Sequence, residues 1–211
     1  NGVYTVGTNG DFSDEKAVMM SMQYCGINGP VTFRFVSGNY GQLNFSNPIP
    51  GSSATNTVLF TSSAGYAASV SFIATSSPAL ILNNINNIFF RNVTLDGTAT
   101  NHGIELQGSC SNIEFNACHI KASTTTTTSP YSAIYRNGMS GSNSLSDIRI
   151  IKNNISGGYY NIYWYYGGGG SSYMGNNCII DSNVFTDAYY GAIYSNNGYT
   201  NFNSISYNNI S

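Results

Sequence analysis

The sequence predicts an all-β fold: a parallel β-helix of about six coils, three short strands to a coil, with a short helix closing its lower end. Three observations carry this reading. The first is a recurring phrase of the form apolar-x-apolar, two residues, a small or polar residue, x, apolar. It stands at Ile148-Arg149-Ile150 with Asn153 and Ile155, at Cys178-Ile179-Ile180 with Asn183 and Phe185, and more weakly at Ile205 with Asn208 and Ile210. Earlier versions are Ile113-Glu114-Phe115 with Cys118 and Ile120, and Ile88-Phe89-Phe90 with Val93 and Leu95. The second is that the chain aligns on three apolar columns: Leu95, Ile120, Ile155, Phe185, Ile210; Leu80, Ile104, Ile134, Ile162, Ile193; and Val58, Ile88, Ile113, Ile148, Cys178. The third is that segments rich in Gly, Asn and Ser separate the columns in a fixed order. Alternation with period two makes each apolar stretch a strand with one buried face. Strands repeated in register stack into three parallel sheets around one core.

Taken in order, residues 1–29 read as a cap and residues 30–211 as the coils. Within the cap, Ser13-Asp14-Glu15 precedes Ala17, Met20, Tyr24 and Cys25, the pattern of a short amphipathic helix. Ser13 is the expected N-cap, the two acids suit the positive end of the helix dipole, and Gly26 is placed to end the helix. Val31 to Phe35 begins the coils, Leu43-Asn44-Phe45 extends the second column downward, and Val70-Ser71-Phe72 extends the first. Asn153, Asn183 and Asn208 recur at an inward corner, where stacked amides bond the turning backbone. The upper end has no matching cap. Both ends of the sequence read as cut from a longer protein, and the first residues, Asn1-Gly2-Val3, carry no signal peptide.

Composition narrows the function classes. Only 8% of residues are charged and the net charge is -2, so a nucleic-acid surface is not expected. Hydrophobic content of 41% and aromatic content of 14% argue for a packed core rather than disorder. No apolar run is long enough to span a membrane. The four cysteines, Cys25, Cys110, Cys118 and Cys178, lack the spacing of a zinc site and read as small buried side chains, with a Cys110–Cys118 bridge left open. No metal and no cofactor is implied.

The phrases "NIFFRNVTLDG", "DIRIIKNNISGG" and "GAIYSNNGYTNFNSISYNNIS" resemble the right-handed, single-stranded parallel β-helix repeats of the pectate-lyase-like superfamily. The opening "YTVGTNGDFSDEKAVMMSMQYCGINGPVTFRFVSGNY" is similar to the N-terminal part of large secreted surface proteins of Bacteroidetes-type bacteria. The resemblance covers essentially the whole chain. It implies the fold and export to the cell surface or beyond, and it leaves the activity open, because that superfamily holds lyases, hydrolases, epimerases and non-catalytic adhesins.

Its hydrolases pair carboxylates, and its lyases hold Ca²⁺ on clustered carboxylates beside a basic residue. Here the "NTD", "DD" and "GHG" motifs of the polygalacturonase-type site are missing. Asp96 and Glu105, with His102 between them, form the one local cluster, and Asp181 and Asp187 follow as candidates. Asp96, Glu105 and Asp181 are therefore the catalytic candidates, with Glu105 pointing outward. His102 and His119 read as turn and strand-edge residues. Arg136 is inward near a strand end, where it snorkels or pairs locally. Trp164 is inward by alternation.

The aromatics are better organised. Tyr135, Tyr163 and Tyr194 each follow the second column's apolar residue, and Tyr131, Tyr159 and Tyr190 each precede it by three. The first set is expected to form an outward ladder, the second to flank it at the preceding turn. Longer segments at Gly138 to Ser144, Tyr165 to Asn177 and Ser195 to Asn201 share one corner beside this sheet, and the threonine-rich Ser123 to Ser129 enlarges the corner before it. Gly167 to Gly170 lack the following Lys and Ser or Thr of a phosphate loop and read as a flexible loop. The functional expectation is an extracellular, adhesin-like module that binds polysaccharide or cell-surface glycan through the six tyrosines. The alternatives are a polysaccharide lyase or glycoside hydrolase around the three acids, and a purely structural stalk.

Overall fold

The structure, a computed structural model, describes residues 1–76, 78–138, 144–166, 175–196 and 200–211. Three parallel sheets wrap one core, and each strand pairs with its counterpart in the neighbouring coil. The first sheet runs from Gly2–Val6 through Val31–Phe35, Val58–Ser62, Asn86–Arg91, Cys110–Asn116, Leu145–Ile151 and Gly175–Asp181 to Thr200–Ser206. The second runs from Gly38–Tyr40 to Asn209–Ile210, and the third from Leu43–Phe45 to Gly191–Asn196. All three apolar columns lie in register: Ile120 pairs with Leu95 and Ile155, Ile134 with Ile104 and Ile162, and Ile113 with Ile88 and Ile148. This is a parallel β-helix of about six coils. Register shifts on both sides of Cys178 are the irregularities in the first sheet's pairing among the described residues, and Asn203 is the extra residue in the shift between Cys178 and Ile179.

Three sequence expectations about the lower end need correction. Gly2–Val6 is a strand of the first sheet, paired with Val31–Phe35, so strand structure begins before the helix. The helix spans Glu15–Cys25 and its N-cap is Asp14, not Ser13: Asp14 Oδ1 accepts the Ala17 N–H at 2.9 Å, while Ser13 only donates to the Asp14 carboxylate. Its buried face is Glu15, Val18 and Met22, whereas Met20 and Tyr24 are exposed. The segment carries two overlapping apolar stripes, and the cap decides which one faces the core. Gly26 ends the helix as expected, with φ 65° and its N–H on the Met22 carbonyl.

The core changes character along the axis. In the lower coils Phe33, Phe60, Phe90 and Phe115 stack inside the first sheet, with centroids 5.5, 5.2 and 5.5 Å apart. In the upper coils the same interior column is Ile150, Ile180 and Ile205. There the corner into the second sheet becomes polar. Asn153 Oδ1 accepts the Cys118 N–H, Asn183 Oδ1 accepts the Asn153 N–H, and Asn208 Oδ1 accepts the Asn183 N–H, each at 2.9 Å. Their amide nitrogens donate to the carbonyls of Phe115, Ile150 and Ile180. This ladder satisfies backbone groups that a tight corner would leave without partners. The residues just before it, Asn92, Ala117, Lys152, Ser182 and Tyr207, all have φ between 52° and 58°. Only Asn among them favours that region, so stacking, not local propensity, holds the turn.

Cys110, Cys118 and Cys178 are buried free thiols and Cys25 is an exposed one; the Cys110–Cys118 bridge is not formed. Burial pushes the Cys118 thiol up to about 12 and that of Cys178 to about 11, so neither is a nucleophile at neutral pH. Among the described residues no helix is long and apolar enough to cross a membrane.

Candidate functional site

The outward column of the third sheet reads, in register, Asn44, Ile81, Glu105, Tyr135, Tyr163, Tyr194. The expected outward ladder is present. Tyr135 and Tyr163 stack at 5.7 Å and 26°, and Tyr163 and Tyr194 at 5.0 Å and 11°. In the flanking set Tyr159 and Tyr190 stack at 5.4 Å and 7°, while Tyr131 turns its edge to His102 instead. Tyr160, which the sequence reading passed over, joins the two columns, and Tyr189 adds to the flanking one. Tyr160 lies 4.7 Å from Tyr194 and 5.0 Å from Tyr159, and Tyr189 lies 5.4 Å from Tyr159. Tyr160 sits one register step above Ser132, at a strand start, so alternation places it in the core. Its ring instead fills the corner beneath the wall.

This stacking has a chemical consequence. A tyrosine between two stacked neighbours has both ring faces covered, so it offers solvent its edge and its hydroxyl. The wall is a row of phenol hydroxyls rather than a flat aromatic platform. Burial first, and then the neighbouring phenols Tyr194 and Tyr135, hold the Tyr163 hydroxyl above its usual pKa; Tyr160 is raised in the same way. The Tyr163 and Tyr160 hydroxyls therefore stay neutral and can both donate and accept hydrogen bonds. At its lower end His102 stacks face to face on Tyr135 at 4.0 Å and 8°. His102 is buried, not merely a turn residue, and burial lowers its pKa to about 4. Its Nδ1 accepts the Ser132 N–H at 3.3 Å, which leaves the proton of the neutral ring on Nε2.

The acids are not brought together. Asp96 is on the second sheet, where it accepts from Thr98 and faces Lys121 at 3.9 Å. Glu105 is outward on the third sheet, beneath Tyr135. Asp181 ends a strand of the first sheet. Burial works against its charge, but the Ser204 and Ser206 hydroxyls and the Ser206 N–H outweigh it and hold the carboxyl below its usual value. A general acid needs the opposite shift. Asp187 is exposed in the turn after Val184–Thr186. A close carboxylate–guanidinium group that the sequence does not announce is Glu114, buried between Arg91 at 2.7 Å and Arg149 at 3.6 Å on the first sheet. Its register neighbours carry the signal: Phe89, Glu114 and Arg149 stand one above another. Among the described residues no group of three or more His, Cys, Asp or Glu lies close enough to hold a metal ion.

Arg136 and Trp164 face inward in adjacent coils and are fully buried. The guanidinium therefore does not snorkel; it donates to the Leu106 carbonyl at 3.2 Å. The corner segments Gly138 to Ser144, Tyr165 to Asn177 and Ser195 to Asn201, with Gly167 to Gly170 among them, lie largely outside the described residues.

No family profile and no curated protein matches the chain. Among solved structures, the pectin methylesterase of Aspergillus niger is similar to it in two forms, deglycosylated and penultimately deglycosylated. Each match has a TM-score of 0.46, covers 100% of this chain and 74% of that one, and has 9% and 8% identity respectively. A likeness at that level carries no argument about activity.

Proposed function

We propose that the chain is a secreted or cell-surface, adhesin-like β-helical module that binds carbohydrate through the tyrosine wall, without catalysis. The observation that carries this is the hydroxyl row on the third sheet, formed by Tyr135, Tyr163 and Tyr194 and flanked by Tyr131, Tyr159 and Tyr190. Rings locked by mutual stacking lose little freedom on binding, which favours contact with a hydroxyl-rich ligand. The catalytic alternative finds less support, because Asp96, Glu105 and Asp181 stand on three different sheets and paired-carboxylate chemistry needs two within about 10 Å.

The test is a glycan array followed by titration of the best binder. Replacing Tyr135, Tyr163 and Tyr194 together by Phe keeps the ring stack and removes the hydroxyls. The expected outcome is a fall in affinity of at least about tenfold. Undiminished binding by the triple variant sinks the proposed face. Absence of any glycan binding by the parent protein favours the stalk.

A further inference from the structure

On the corner opposite the third sheet, between the first and second sheets, the solenoid carries a groove of about 410 Å³. It climbs through five successive coils, from Tyr66 past Asn92, His119, Lys152 and Asn154 to Ser182. At a rung spacing of about 4.8 Å its length is about 19 Å. Its floor is the column of left-handed turn residues, and the positive φ of Asn92, Lys152 and Ser182 belongs to this column.

Several polar side chains of its lining are uncommitted. Among the described residues the side chains of Asn92, His119, Asn154 and Ser182 make no hydrogen bond to protein, and Lys152 is in no ion pair. Elsewhere on this surface such groups are tied up: Lys121 faces Asp96, and Arg91 and Arg149 flank Glu114. Tyr66 at the lower end is 59% exposed, and no other ring among the described residues stacks on it. It therefore offers the bare aromatic face that the tyrosine wall does not. Burial, and then the charge of Lys121, keep the His119 imidazole below its usual pKa, so at neutral pH it is a neutral hydrogen-bonding group and Lys152 is the cation.

We propose that this groove is a second binding site, for a short saccharide chain that carries a carboxylate or a sulfate. The ligand's C–H face packs on Tyr66, its hydroxyls meet Asn92, His119, Asn154 and Ser182, and its anionic group pairs with Lys152. The site does not depend on the wall.

The experiment titrates the protein, at low and at physiological salt, with uronate-containing oligosaccharides, their carboxyl-reduced counterparts and sulfated oligosaccharides. The expected result is binding of an acidic ligand in preference to its neutral counterpart, weakened by salt. The stronger of the two acidic series identifies the anion. Lys152→Gln and Tyr66→Ala each lower that affinity by about tenfold, with unchanged thermal midpoints because both side chains are exposed. The Tyr135, Tyr163 and Tyr194 triple Phe variant binds acidic ligand like the parent. Equal binding of acidic and reduced ligands overturns the proposal, as does full binding by Lys152→Gln. Loss of acidic binding in the wall variant alone assigns that binding to the wall and removes the groove.

Discussion

The lower and upper coils solve the same packing problem with opposite placements of aromatic and polar groups. Below, phenylalanines stack inside the first sheet while the outward third-sheet column reads Asn44, Ile81, Glu105. Above, the interior takes Asn153, Asn183, Arg136 and Trp164, and the aromatic stack moves outside as Tyr135, Tyr163 and Tyr194. The two stacks have nearly the same geometry, with centroid spacings of 5.2 and 5.5 Å for Phe60–Phe90–Phe115 and 5.7 and 5.0 Å for Tyr135–Tyr163–Tyr194. What separates them is sheet and face: the phenylalanines point inward from the first sheet, the tyrosines outward from the third. The inner stack fills the core, whereas the outer one presents phenol edges and hydroxyls along the sheet.

The sharpest way to break this comparison is to cut one ring from each stack. Phe90→Ala, which empties a fully buried position, is expected to cost about 3–5 kcal/mol. Tyr163→Ala, on the half-buried outer stack, is expected to cost about 1–2 kcal/mol. Urea unfolding of both variants checks the pair, and equal losses would mean that the outer wall is as much a core as the inner one.

Next comes the amide ladder. Asn183→Val gives an upper coil the residue type that Val93 supplies lower down. It leaves the Asn153 N–H and the Ile150 carbonyl without their partners and is expected to cost about 2–4 kcal/mol, read as a lowered urea midpoint. A neutral outcome would show that the ladder is replaceable by packing.

The third effect belongs to the junction between the two regions, where His102 meets Tyr135. Its pKa is depressed from 6.5 to about 4 by burial, so between those values the unfolded chain binds a proton that the folded one does not. Stability is therefore lost as pH falls from about 6.5 to about 4 and changes no further below that, by up to about 3 kcal/mol in all. His102→Phe keeps the stack and should abolish that component of the urea midpoint's pH dependence.

How much was legible varies by residue. The interior columns were readable because a buried strand face is mostly apolar, and the period of two then fixes the parity of Tyr135, Tyr163, Tyr194 and Trp164. The helix face was misread because Val18/Met22 and Met20/Tyr24 are both valid stripes, and only docking under the cap selects between them. Tyr160 was missed because alternation describes the middle of a strand, not its first residue at a corner. Glu114 was missed because its partners Arg91 and Arg149 are 23 and 35 residues away and become neighbours only through the coil register.

The sequence by itself determined the fold of this protein, since repetition is a local property and stacking converts it directly into architecture. The tertiary structure alone decided what the surface can do. Coil length differs from rung to rung, and only the folded register shows which side chains then meet: it turned the tyrosine faces onto one another and aligned Tyr66 with Lys152 in a groove that no sequence spacing announces.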